Sequence, residues 1–77
     1  MRAFIYGVQT LDFTSKDGNK IQGKNIFCGF THRFVDGLKT GKFYIPIDDP
    51  EYENIKPDIE VDISFDMDGK VDNISIL

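Results

Sequence analysis

The fold of this chain is decided by residues 58–66, which read Asp58-Ile59-Glu60-Val61-Asp62-Ile63-Ser64-Phe65-Asp66. Polar and apolar side chains alternate without a fault, and successive side chains of a strand point to opposite faces of a sheet. This segment therefore predicts a strand with one face toward a core and the other toward solvent. The core face carries Ile59, Val61, Ile63 and Phe65.

The residues after this strand predict a hairpin. Met67-Asp68-Gly69-Lys70 supplies the Asp-Gly chemistry of a tight turn, and apolar residues resume a strand at Val71, Ile74 and Ile76. The apolar phase slips between Val71 and Ile74, so the returning strand contains one extra residue. We expect either a β-bulge near Asp72-Asn73 or an end strand that is partly covered on both faces.

Three further strands are predicted on the amino-terminal side. A long first strand begins near Phe4 and runs through Phe13, and a turn at Asp17-Gly18-Asn19 leads to a second strand over residues 25–34. In the second strand one phase holds Ile26, Cys28, Phe30, His32 and Phe34, and Phe27 takes the other. Residues 35–41 read as a loop, 42–47 as a short strand, and 48–57 as an acidic connection with room for one helical turn.

Five short strands predict an all-β fold, a small, closed or nearly closed five-stranded antiparallel barrel of the oligonucleotide-binding type. Closure of the barrel would remove edges that so small a sheet could not otherwise protect. An SH3-like barrel is the competing topology. Seventy-seven residues supply only one small core, so we expect a single domain over residues 1–77.

Composition limits the class of protein. An apolar share of 40% and an aromatic share of 13% are typical of a folded chain and exclude disorder as the main interpretation. The single cysteine, Cys28, cannot form an intrachain disulfide, which favours a cytoplasmic location. No apolar run is long enough for a secretory signal or a membrane span, so we expect no membrane partner.

Charge is divided unequally along the chain. The net charge is −4, yet seven basic against three acidic residues give +4 over residues 1–44, and two against ten give −8 over residues 45–77. Such asymmetry points to a charged partner or to self-association. The basic half is compatible with nucleic acid, whose phosphates are neutralised by Lys and Arg.

The sequence offers no catalytic or metal site. Cys28 and His32 are four residues apart, which in a strand separates them by roughly 13 Å, too far for a nucleophile and its base. No second His or Cys completes a zinc site, and the Asp66–Gly69 turn lacks the later ligands of a calcium loop. We therefore predict a chain that is not an enzyme and needs no cofactor.

A basic hairpin is the strongest functional feature. It reads Phe13-Thr14-Ser15-Lys16-Asp17-Gly18-Asn19-Lys20-Ile21-Gln22-Gly23-Lys24. Its three lysines can contact the phosphates of a nucleic acid, and unpaired bases can stack on the aromatic residues of the neighbouring strands. The predicted nucleic-acid-binding residues are Lys16, Lys20, Lys24, Phe27, Arg33, Lys42 and Tyr44.

This hairpin resembles the amino-terminal hairpin of the filamentous-phage single-stranded-DNA-binding, or helix-destabilising, proteins. The likeness lies in Phe13-Thr14-Ser15-Lys16, Gly18 and Gln22-Gly23-Lys24. It implies a five-stranded oligonucleotide-binding barrel, a symmetric dimer and cooperative coating of single strands during rolling-circle replication. It also implies that Lys16 stands at a DNA-contacting position and that Lys24 ends the Gln-Gly-Lys motif.

The chain departs from that family at two positions. Ile21 stands where the family has its next basic residue, with Lys20 beside it, and Ile26 stands where the family has a DNA-contacting tyrosine, with Phe27 beside it. These contacts have either moved by one position or been lost.

We therefore expect a cytoplasmic, dimeric protein that coats single-stranded DNA in the replication or transfer of a phage, plasmid or conjugative element. RNA in place of DNA is left open. One alternative is an acidic protein-interaction module that docks on a basic replication or transfer partner. The other is an enzyme subunit or small hydrolase, against which the absence of a catalytic constellation argues.

Overall fold

The computed structural model describes residues 1–77 as one antiparallel sheet of five strands, in the order β3-β2-β1-β4-β5. The strands are β1 (Arg2–Thr14), β2 (Lys20–Thr31), β3 (Leu38–Pro46), β4 (Ile59–Phe65) and β5 (Val71–Ile76). A single 3₁₀ turn, Tyr52–Asn54, lies in the connection between β3 and β4. The predicted all-β, five-stranded antiparallel fold is confirmed. No helix has the length and apolarity that a membrane crossing requires.

The sheet curls but does not close, so it is a barrel only loosely. Its two end strands, β3 and β5, approach each other without forming a ladder. Side chains occupy part of the gap: the rings of Phe43 on β3 and Phe65 on β4 have centroids 5.3 Å apart. Of the closed or nearly closed barrel that the sequence predicts, the structure shows the five-stranded antiparallel sheet without closure.

The core is aliphatic and lies inside the curl. β-Branched side chains pack well on a pleated surface, and each fully buried one contributes about 1.5–3 kcal/mol relative to exposure. The buried cluster consists of Ala3, Ile5, Ile26, Cys28, Ile45, Ile55, Val61, Ile63 and Ile74. The alternation predicted for β4 is confirmed for Val61 and Ile63, whereas Phe65 at the end of the strand is exposed.

Two β-bulges break the registers. In the β4–β5 hairpin Ser64 pairs with Asn73 and Phe65 with Val71, so Asp72 is the extra residue and the predicted bulge is confirmed. In β1, Ile5 pairs with Cys28 and Gly7 with Phe27, the adjacent residue of β2, so Tyr6 is extra. Sequence patterning does not predict this second bulge.

The two predicted turns are confirmed, and each has a glycine in the left-handed region, Gly18 at φ 85° and Gly69 at φ 79°. The bounds of two strands differ from the prediction. β2 begins at Lys20 and ends at Thr31, since its ladder with β1 starts beside the turn and the chain then leaves the sheet. His32 and Phe34 therefore lie in a loop and not in the strand. β3 begins at Leu38, within the segment predicted as a loop.

Lys24 fastens the β3–β4 connection to the sheet. Its Nζ donates to the carbonyl oxygens of Tyr52 at 2.7 Å and Ile55 at 3.3 Å. The same ammonium lies 4.2 Å from the centroid of the Tyr52 ring. Because Tyr52 and Ile55 are buried, this half-buried lysine links β2 to the middle of a connection whose two ends are joined to the sheet by backbone hydrogen bonds.

Replacing Lys24 by Met keeps the aliphatic stem and removes the ammonium. We expect Lys24→Met to lower the free energy of unfolding by about 1–3 kcal/mol, because hydrogen bonds from a charged donor are lost. Urea unfolding followed by circular dichroism measures the change. Lys20→Met, on the exposed start of the same strand, is the matched control and should change stability by no more than about 0.5 kcal/mol. Equal effects at both positions would contradict the structural role of Lys24.

Candidate nucleic-acid interface

The outer face of β1, β2 and β3 carries the candidate site. Ile26, Cys28 and Ile45 point into the core, so their neighbours along each strand point outward. Phe27 of β2 is paired directly with Lys42 of β3. We call the outward-pointing set Tyr6, Phe27, Lys42 and Tyr44 the aromatic face.

The three rings of the aromatic face are open to solvent. Tyr6 is 52% exposed, Phe27 42% and Tyr44 41%. Directly opposed side chains have Cβ atoms about 5 Å apart and diagonal neighbours about 7–8 Å, so Lys42 lies beside Phe27, and Tyr44 is the diagonal neighbour of Phe27. The arrangement presents ring faces next to an ammonium group.

Glycines hold two of these rings against the sheet. A Cβ at position 23 would lie 2.5 Å from both Cζ and Oη of Tyr44, and a Cβ at position 29 would lie 2.5 Å from Cε2 of Tyr6. The Tyr44 hydroxyl also donates to the carbonyl oxygen of Gln22 at 2.9 Å. Each tyrosine therefore packs one side of its ring on the backbone of β2.

A groove continues the aromatic face across the gap between β3 and the β4–β5 turn. Its volume is about 470 Å³. It is lined by Lys42, Phe43, Tyr44, Pro46, Gly69, Lys70 and Val71. Lys70 is the functional candidate that sequence reasoning missed, because in the sequence it is only the last residue of a turn. The groove adds a second ammonium group next to Tyr44.

The β1–β2 turn projects from the sheet and carries Lys16, with Lys20 at the start of β2; both are exposed. Asp17 lies between them. The hydrogen bond from Ser15 Oγ, at 2.8 Å, and a second one from the backbone lower the pKa of the Asp17 carboxyl. The turn thus presents two ammonium groups and one carboxylate.

The structure separates the remaining predicted residues from the aromatic face. Lys24 points to the opposite side of the sheet, where it binds carbonyl groups. Arg33 lies in the β2–β3 loop, with its guanidinium carbon 4.7 Å from the centroid of the Phe34 ring. Of the seven predicted residues, the fold brings Phe27, Lys42 and Tyr44 together, and it places Lys16 and Lys20 on the projecting hairpin.

The outer face of β1, β2 and β3 differs in charge from that of β4. No carboxylate points outward from β1, β2 or β3, because Asp12 faces the other side, 3.5 Å from Gln22 Nε2. On β4 the outward positions are Glu60 and Asp62, which alternate with buried residues. β1, β2 and β3 therefore add no carboxylate to the aromatic face, and Glu60 of β4, which is paired with Phe4, is the outward carboxylate at its border.

Cys28 and His32 occupy different environments. Cys28 is buried in the core, and this burial raises the pKa of its thiol from 9.0 to about 11. His32 is exposed in the loop after β2, where its Nδ1 accepts the Phe34 N–H at 3.2 Å. No group of three or more His, Cys, Asp or Glu side chains is arranged to hold a metal ion.

The buried thiol provides a test of the core. A disulfide reagent at pH 8 should react with Cys28 only after denaturant is added, because the native thiol is both covered and protonated. Rapid labelling of the native protein would contradict the buried placement.

The stability of the fold should also depend on pH through this thiol. Because the folded pKa of about 11 exceeds the unfolded value near 9.0, the thiol's contribution to stability is complete below pH 9 and declines as pH rises toward 11. Cys28→Ala should show less of this decline in unfolding experiments.

Comparisons with protein-family models, curated proteins and solved structures find no match to this chain.

Proposed function

We propose that this chain is a non-enzymatic protein that binds single-stranded nucleic acid, in the first place DNA, on its aromatic face. The observation that carries the proposal is the pair of exposed rings, Phe27 and Tyr44, that flank Lys42 on two adjacent strands. Oligonucleotide-binding barrels use the outer face of the same two strands, with the β1–β2 and β4–β5 loops at its borders.

Stacking explains why the strand has to be single. Every base has a π-face, but in a duplex these faces are covered by neighbouring base pairs. A base that stacks on an aromatic side chain contributes about 1–3 kcal/mol without reading its identity. Tyr44 is suited to this role because its ring is already packed on Gly23 and held by Gln22, so less side-chain freedom is lost on binding.

Lysines supply the phosphate contacts at both borders of the face. Lys42 and Lys70 lie at the groove beside β3, and Lys16 and Lys20 lie on the projecting hairpin. Contacts of this kind position the chain on a strand and carry no base sequence information. Binding is therefore expected to tolerate any base sequence and to weaken with salt.

The biological setting follows from such sequence-tolerant binding. A small protein that covers single strands serves replication or transfer, and the resemblance over residues 13–24 favours a phage, plasmid or conjugative element as the source. The same resemblance favours a cytoplasmic dimer that coats its strand cooperatively.

The aromatic face is tested by removing its rings. Phe27→Ala and Tyr44→Ala should each weaken binding to a single-stranded oligonucleotide by about 1–3 kcal/mol, roughly fivefold to 150-fold, because one stacked base is lost. Fluorescence anisotropy with single-stranded DNA, single-stranded RNA and duplex DNA measures the affinity and ranks the three ligands. Phe34→Ala removes a ring that is 78% exposed but lies off the face, and it is the matched control. Equal affinity of the wild-type chain for duplex and single strands would refute the proposal.

The lysine of the face is tested through salt. Replacing Lys42 by Ala should reduce the slope of log affinity against log salt concentration by about 0.7, the value for one phosphate neutralised on a single strand. Lys56→Ala removes an exposed lysine from the acidic connection and should leave the slope unchanged. An unaltered slope in Lys42→Ala would remove this residue from the proposed path.

A second candidate function rests on the acidic carboxyl-terminal half of the chain. Glu60 and Asp62 on β4, together with Asp48 and Glu53 in the connection, are exposed carboxylates on the carboxyl-terminal half. They suit a basic protein partner. This alternative is favoured if the wild-type chain has no affinity for single strands but captures a lysine-rich peptide, and if Asp48→Asn with Glu53→Gln abolishes that capture.

A further inference from the structure

The open sheet leaves three strand edges without a neighbour. β3 and β5 are the end strands, and each has one free side. The third edge belongs to β1, because β4 pairs only with Arg2–Ile5, while β2 pairs with β1 as far as Thr14. Beyond Ile5, no hydrogen bond joins the main chain of β1 to any segment other than β2.

Two of these edges carry features that discourage pairing. Lysines, proline, bulges and short length protect sheet edges from other strands. β3 contains Lys39, Lys42 and Pro46. β5 has six residues and the bulge at Asp72. Neither strand is suited to accept another chain.

The β1 edge has none of this protection. It reads Val8-Gln9-Thr10-Leu11-Asp12-Phe13-Thr14, with no lysine, no proline and a single charge. Its register with β2 continues without a bulge from Gly7 to Thr14. Leu11 is half-buried and Phe13 is 50% exposed, and both point outward on the side of the aromatic face. This is a regular, nearly uncharged edge with apolar side chains beside it.

We propose that this edge is a self-association surface, on which the same segment of a second copy of the chain pairs antiparallel, with Leu11 opposite the second copy's Leu11. In this register Val8 lies opposite Thr14, so residues 8–14 of both copies are used in full and β4 is not displaced. The resulting sheet has a two-fold axis through the Leu11 pair. This inference does not depend on nucleic-acid binding.

The side chains agree with this register. The two Leu11 residues form an apolar contact, and each Phe13 lies opposite Gln9. On the other side of the sheet each Asp12 lies opposite Thr10, whose hydroxyl can donate to the carboxylate. Cross-strand pairs of this kind stabilise a sheet.

Neighbouring registers are worse. The smallest change of register that keeps both outer faces on the same side of the sheet moves one copy by two residues relative to the other. One such shift places Asp12 directly opposite Asp12, which brings two like charges together. The opposite shift pairs Thr10 with Thr10 and extends the β1–β2 turn of one copy into the start of β4 of the other, where the Asp58 N–H already donates to Ile5. The chain is therefore complementary to itself mainly in the proposed register.

Introducing a charge at the two-fold axis tests the proposed self-association surface. Sedimentation without nucleic acid should show a dimer for the wild-type chain at micromolar concentration. Leu11→Lys and Leu11→Glu should each sediment as monomers, because identical charges then face each other. A 1:1 mixture of the two should restore a dimer, because opposite charges meet across the axis. Leu38→Lys, which changes a 47% exposed leucine on β3, is the control and should remain dimeric.

Hydrogen exchange provides a measurement that needs no variant. Protection of alternate amides within residues 8–14 should rise with protein concentration, whereas protection along the β3 edge should not. The proposal is overturned if the wild-type chain is monomeric, if the single Leu11 variants are dimeric, or if their mixture stays monomeric. It is also overturned if hydrogen exchange within residues 8–14 does not change with protein concentration. None of these results bears on the oligonucleotide titrations of Phe27 and Tyr44, so failure of the two proposals can be told apart.

Discussion

The structure depends on one extra residue in β1. Up to Ile5 this strand pairs on both sides and sends Ala3 and Ile5 into the core. A strict two-residue alternation would then turn Gly7 inward and Val8 outward. The bulge at Tyr6 shifts the phase, so that Val8 packs against the core, and the Tyr6 ring lies over Gly29 on the outside. Beyond it β1 has left β4, and the hairpin projects with an open edge.

The composition of the core explains why aromatic rings are free for a surface. A chain of 77 residues with seven Phe and three Tyr would ordinarily use most of its rings inside. Here the central cluster contains six isoleucines and no aromatic residue, and Tyr52, which is 8% exposed, is the only buried ring. Slim β-branched side chains fill the narrow interior of a strongly curled sheet. The rings on the outside then find support on Gly23 and Gly29, where the absence of a Cβ lets them pack on the backbone.

The sequence predicted those features of the fold that depend on residues close together in the chain. The alternation over residues 58–66, the glycine turns and the bulge at Asp72 all follow from residues close together in the chain, and together they indicated the fold class. The role of Lys24 could not be predicted in this way, because its carbonyl partners lie 28 and 31 residues away. Lys70 was missed for the same reason, since it joins Lys42 and Tyr44 only when the turn folds against β3. The bulge at Tyr6 was hidden because apolar residues occupy both phases of β1.

The proposed face and the proposed edge support each other physically. Two stacked bases contribute about 2–6 kcal/mol before the cost of association, which corresponds to weak binding by a single copy. Pairing of two β1 edges would place both aromatic faces on the same side of one continuous sheet. The second copy would then meet the strand at a high effective concentration, and affinity for a long strand would rise without any new kind of contact. If this chain coats a strand as proposed, its small surface makes joining of copies the main route to that ability, and the proposed pairing of β1 edges would provide it.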